Sequence, residues 1–153
     1  MIPDIAAENN ASRGELASAI EKLSAKNVRH EGGATGTASS LLCHLAFWDR
    51  WALHVVEAAN GPDLGAFRLT PKAIDSVNDA VATLAGAIPA DIAARLALET
   101  AAAVDARVLG LEDDSKDRIA AAGLERVLAR HIHRREHLPP LIAALAVAKD
   151  DIC

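Results

Sequence analysis

Apolar positions along this chain recur at intervals of three and four, and no stretch alternates with period two. That rhythm predicts helices and no strands. Ile5, Leu16, Ile20 and Leu23 form the stripe of a first helix over 4–25, with Asp4 placed to cap it. The run His30-Glu31-Gly32-Gly33-Ala34-Thr35-Gly36 breaks the pattern, and its glycines mark a loop. A second helix is expected over 38–59, capped by Thr37, with Leu41, Leu45, Trp48, Ala52 and Val55 on one face and Gly61-Pro62 ending it.

After a loop over 61–70, Pro71 opens a shorter helix over 72–87 with the stripe Ile74, Val77, Val81, Leu84 and Ile88. It feeds a third main helix over 89–109, where Ala97, Ala101, Val104 and Val108 keep the period and Gly110 terminates. The acidic stretch 111–116 reads as a surface loop. A fourth main helix starts at 114 or 115 and runs to 148. Pro139-Pro140 predicts a kink or short break in it, since each proline removes a backbone donor. Four main amphipathic helices in 153 residues predict one all-α domain over 1–153, a four-helix bundle with one extra short helix before the third main helix. Up-down order is the default, although the loop before Pro71 is long enough for a crossover.

Composition supports helices, because alanine is abundant, tyrosine is absent and there are only two Phe and two Trp. The net charge of −5, without a Lys/Arg-rich tail, argues against a nucleic-acid surface. The start of the chain lacks a charged segment leading into an apolar one. The longest nearly uncharged apolar stretch, 138–148, is too short to cross a bilayer. No membrane partner is expected. Cys43 and Cys153 make no disulfide framework, so a reducing cytoplasm is the expected location.

The candidate chemistry lies in the histidines. His133 and His137 are four apart, which on a helix places both imidazoles on one face within reach of a shared ion. His44, among apolar neighbours on the second helix, is the best third ligand. Three neutral imidazoles leave positions on a metal for water or substrate. Each feature has a plainer reading. Two histidines four apart also occur on a solvated face, and a histidine among apolar residues is commonly a core residue bonded to a carbonyl.

On a wheel of 100° per residue, the apolar stripe of the fourth helix is Leu124, Val127, Leu128, Leu138, Ile142 and Leu145. His131 falls in the middle of it, whereas His133 and His137 fall beside Arg126 and Arg130. That face is either solvated or lines a polar pocket in which Arg130 receives an anionic group. Periodicity alone favours His131 as the inward residue.

Arg126, Arg130 and Arg134 form an i, i+4 row that reads as a solvated face with local partners such as Glu125 or Asp117. Trp48 and Trp51 read as core or as the wall of a pocket. Cys43 does not face its neighbour His44, because adjacent helical residues diverge by about 100°, and nothing visible lowers its pKa. No glycine-rich phosphate loop, CxxC pair or GxSxG motif is present.

Leu41-Leu42-Cys43-His44-Leu45-Ala46-Phe47-Trp48-Asp49-Arg50 resembles the second-helix signature of the DinB-like superfamily, which includes the metal-binding domain of mycothiol-dependent maleylpyruvate isomerases. His133-Arg134-Arg135-Glu136-His137-Leu138-Pro139 resembles its fourth-helix His-x-x-x-His motif, with an acidic residue before the second His. Helix order and length extend the resemblance over essentially the whole chain. The Arg-rich surroundings of the pair and the competing His131 depart from the pattern.

The resemblance implies a divalent ion, zinc or nickel, on His44, His133 and His137. It also implies chemistry on a small-molecule substrate with a low-molecular-weight thiol. The leading expectation is a metal-dependent thiol S-transferase, or an isomerase or hydrolase, acting in detoxification. Arg130 would hold a substrate carboxylate, with Trp48 and Trp51 as the apolar wall. The alternatives are a non-catalytic metal-binding or small-molecule-binding stress-response bundle, or a bundle serving only protein association. A homodimer fits chains of this kind, which often pair through an exposed helix stripe.

Overall fold

The computed structural model describes residues 4–24 and 34–147; the loop over 30–33, position 148 and Cys153 lie outside them. Among the described residues there is no strand. In chain order the elements are α1 (Ile5–Ser24), α2 (Ala34–Glu57), a 3-10 turn (Leu64–Phe67), α3 (Pro71–Ala85), α4 (Ala90–Leu109), α5 (Asp113–Ala121), α6 (Glu125–Leu128) and α7 (Arg130–Val147). Asp4 caps α1, its Oδ1 accepting from the N–H groups of Ala6 and Ala7 at 3.0 and 3.2 Å. Thr70 caps α3 in the same way and Pro71 occupies the first turn, where a missing N–H costs nothing. α2 begins at Ala34, so Thr37 lies inside the helix rather than at its cap.

The expected fourth helix is three helices, and the breaks are not at the prolines. α7 continues through Pro139 and Pro140. Both prolines are exposed, so water can reach the carbonyls they leave without a donor. The first break is at Gly123. Its φ of +71° suits glycine, and the N–H groups of Gly123 and Leu124 return to the carbonyls of Ala120 and Ile119 at 2.8 and 3.1 Å. The second is at Ala129, whose φ of −90° and ψ of 63° end α6.

Asn9, buried on α1, closes the second break. Its Nδ2 donates to the Leu128 carbonyl at 2.8 Å and its Oδ1 accepts from the His131 N–H at 2.9 Å. Asn9→Ala leaves two backbone groups without partners. It is expected to cost about 2–4 kcal/mol in urea unfolding, more than a typical exposed substitution. A loss below about 0.5 kcal/mol would mean that water serves the break equally well.

Four helices make the body. α1 packs on α4 and α7, and α2 packs on the same two. Their buried residues form two apolar clusters. One contains Ala52, Val55 and Val56 of α2, Val104 and Val108 of α4, and Val127 and Leu128 of α6, with Ile5 of α1 against it. The other contains Leu16 and Ile20 of α1, Leu42 and Leu45 of α2, Ala93 and Ala97 of α4, and Leu141 of α7. With rising residue number, α1 and α7 run from the first cluster to the second, while α2 and α4 run the other way. Simple up-down alternation is therefore replaced: α2 and α4 share a direction, and the 3-10 turn and α3 lie in the connection between them.

α3 packs on α2. It buries only Ala85 fully, and Leu84 of its apolar stripe is 68% exposed. Among the described residues no helix is long and apolar enough to cross a membrane.

Candidate metal centre

Between the two apolar clusters lies a layer of charge. Asp49 of α2 is fully buried, and Arg130 and Arg134 of α7 are 5% and 1% exposed. Arg130 Nε donates to Asp49 Oδ1 at 2.7 Å, and Arg134 Nε donates to Asp49 Oδ2 at 3.0 Å. Arg134 also grips Asp105 of α4 with two bonds, 2.9 and 3.0 Å, and donates to the Asn9 carbonyl. The arginine row is thus not a solvated face. Its partners are Asp49 and Asp105, distant in sequence, rather than Glu125 or Asp117. Only Arg126 is exposed, held by Glu136.

The inward face of α7 is therefore polar, and it carries His133 and His137 with it. Together with His44 of α2 they form a cluster in which one ligand nitrogen from each ring lies within 4.8 Å of the others. Ring centroids stand 4.4 Å apart for His44 and His137, 4.8 Å for His133 and His137, and 5.1 Å for His44 and His133. His131 is not part of it. Its Nδ1 lies 3.1 Å from Asn9 Oδ1, against α1. Of the two readings of the face that carries His133 and His137, the pocket-lining one holds; the wheel misplaced His131 because it ran unbroken through Ala129, where the phase resets.

Arg130 orders His133. Its third contact, from NH2, reaches His133 Nδ1 at 2.9 Å. A guanidinium can only donate, so Nδ1 carries the lone pair and the neutral ring keeps its proton on Nε2. That Nε2–H donates to His44 Nε2 at 3.0 Å. All three rings are held away from the charged form. Burial, with His137 and Arg130 nearby, lowers His44 to about 4. Burial and the Arg130 charge lower His133 to about 2. Burial lowers His137, with the Glu136 carboxylate acting in the opposite sense.

These residues fit a divalent ion. His44 and His137 offer neutral imidazoles at neutral pH, the form a metal needs, and His133 would offer its Nε2 once the proton there has moved to Nδ1 and the Arg130 NH2 has turned aside. Two such nitrogens on one tetrahedral ion stand about 3.3 Å apart, close to the 3.0 Å between His44 and His133. An ion held by His44, His133 and His137 would displace the proton on His133 Nε2, which moves to Nδ1 through solvent.

The lowered values carry a pH prediction for the metal-free protein. Below the ordinary value of 6.5 the unfolded chain takes protons that folded His133 and His44 refuse. Stability present above pH 6.5 is therefore lost as pH falls towards 4. His44 is only half-buried and its share is screened; His133 sets the limit, about 1.4 kcal/mol per pH unit. The Tm is expected to drop several degrees between pH 7 and 5, and less in His133→Gln. An equal drop in both proteins would contradict neutral burial of this ring.

The cluster opens into a cavity of about 540 Å³ lined by Trp48, Trp51, Leu69, Ile74 and Asn78, with Arg68, Arg126 and Arg130 among its charged residues. Trp48 Nε1 donates to Asn78 Oδ1 at 2.9 Å, which fixes that indole, and Trp51 packs edge-on against it with centroids 5.6 Å apart. Arg130 lines the cavity, but its contacts are already made with Asp49, the Arg126 carbonyl and His133. Cys43 is buried in the second apolar cluster, and burial pushes its thiol up. Sequence reasoning missed Asp49, Asp105 and Asn9 as supports of the site. Only the Trp48-Asp49 pair in the second-helix signature pointed towards any of them. Compared with known proteins, the chain matches no family model, no curated protein and no solved structure.

Proposed function

We propose that this chain is a DinB-like four-helix bundle that binds a divalent ion, zinc or nickel, and uses it in thiol-dependent chemistry on a small molecule. The observation that carries the metal reading is the convergence of His44, His133 and His137, from two separate helices, at the floor of a tryptophan-walled cavity. The likeness of the segments around His44 and His133 to the DinB-like motifs supports the choice of thiol chemistry. A bound ion supplies Lewis acidity, lowering the pKa of a coordinated thiol or water.

The protein's own part is to position and exclude. Asp49 and Arg130 hold the metal-free His133 ring at a fixed angle through its Nδ1. The wall of Trp48, Trp51 and Ile74 offers apolar surface to an electrophile and displaces water from it. A thiol entering this cavity would give its proton to solvent, its sulfur would bond to the electrophilic carbon, and the displaced group would leave with the electron pair.

Transfer of several low-molecular-weight thiols to a chloronitrobenzene, in metal-loaded and metal-free protein, tests this reading. A metal-dependent rate supports it. Equal rates in the two forms, with the ion bound, leave a non-catalytic metal-binding protein.

A further inference from the structure

The charged side chains around the cavity differ in what they have left to offer a ligand. Arg126 spends two bonds, 2.8 and 2.7 Å, on the Glu136 carboxylate. Arg130 is committed to Asp49, a carbonyl and His133. Arg68 differs from both. It lines the same cavity and is exposed, and among the described residues its guanidinium makes no ion pair or side-chain hydrogen bond.

Its placement is nonetheless defined. Arg68 follows the 3-10 turn, its backbone N–H donating to the Gly65 carbonyl at 3.1 Å. Its guanidinium lies over Gly123, where an added Cβ would stand 3.9 Å from both Cζ and Nε. The positive φ at Gly123 thus both ends α5 and presents flat backbone to this side chain. Nearby are the apolar Trp48, Trp51 and Ile74. Glu125, which borders this cavity, has no cation paired with it among the described residues.

Resting on the reading of this cavity as the ligand site, we infer that Arg68, not Arg130, receives the charged end of the ligand, and that the site selects small carboxylates carrying an apolar body. A guanidinium with all its donors free matches a carboxylate with two parallel bonds. Arg130 could do so only by releasing the buried Asp49. The tryptophan wall takes the apolar body.

The chain's two tryptophans both line this cavity and it has no tyrosine, so intrinsic fluorescence reports on the site alone. The probes are 3-phenylpropionate and its neutral analogue 3-phenylpropionamide, titrated into zinc-free and zinc-loaded protein with metal content measured in parallel. The carboxylate is expected to bind at least about tenfold more tightly than the amide in both forms. Arg68→Gln should erase that preference while leaving amide binding unchanged, and Glu125→Gln should keep or enlarge it. Equal binding of the two probes, no binding of either, or a preference that survives Arg68→Gln overturns the inference. A carboxylate held by zinc itself shows preference only in the loaded form and survives Arg68→Gln, which also overturns it. If the protein takes up no zinc the metal reading fails, and the zinc-free titration still decides the role of Arg68.

Discussion

Replacing Arg134 by methionine is expected to lower the unfolding free energy by about 3–5 kcal/mol, enough to threaten folding in a domain of this size. Arg134 is 1% exposed and joins three helices: it bridges Asp49 of α2 to Asp105 of α4 from its own place on α7. Methionine fills similar space but cannot donate. Among the described residues Asp49 then keeps only Arg130, and Asp105 only Arg13, 3.2 Å away. Removing one member of a buried ion network leaves charge without compensation, which costs far more than the pair contributes. Urea unfolding measures the loss. Replacing Arg134 and Asp105 together by apolar residues should recover part of it, because the second change removes the orphaned carboxylate. A loss below about 1 kcal/mol for Arg134→Met would show that water enters this layer and that it does not order the fold.

Saturating zinc is expected to raise the Tm of the wild-type protein by roughly 8–16 °C, and His44→Ala and His137→Ala are each expected to cut that rise to about a third or less. A ligand at a thousand times its Kd stabilises by about 4 kcal/mol, and a domain of this length gains roughly 2–4 °C per kcal/mol. Removing one of three ligands should weaken binding by more than about a hundredfold, since outer partners alone are worth 10–100-fold. The variants should still fold, because His44 and His137 take no part in the ion layer of Asp49, Arg130, Arg134 and Asp105. Scanning calorimetry with and without zinc reads both effects. A rise undiminished in both variants would place the ion elsewhere.

Much of this architecture was legible in the sequence. The apolar period of Ala97, Ala101, Val104 and Val108 marked the buried face of α4, and the 3.6-residue rhythm correctly excluded strands among the described residues. What escaped was the polar interior. Periodicity equates inward with apolar, so Arg130, Arg134, His133 and His137 were placed on a face judged solvated or pocket-lining. Their burial depends on Asp49 and Asp105, which lie 81 and 29 residues away from the arginines they hold. The break at Ala129 was equally hidden, because no glycine or proline marks it and its partner, Asn9, comes from the opposite end of the chain. Pro139 and Pro140 do not break the helix as a local signal suggests, because those positions face water. The three histidines emerged from spacing and from resemblance to a motif, and their convergence within 4.8 Å shows only once the two helices are packed.

The most direct measurement is the metal content of protein purified without a histidine tag or chelator, for the wild type beside His44→Ala and His137→Ala. About one divalent ion per wild-type chain is expected, and little in either variant. Wild-type protein that holds no ion and takes up neither added zinc nor added nickel would contradict this expectation, leaving three neutral imidazoles as the floor of a polar cavity.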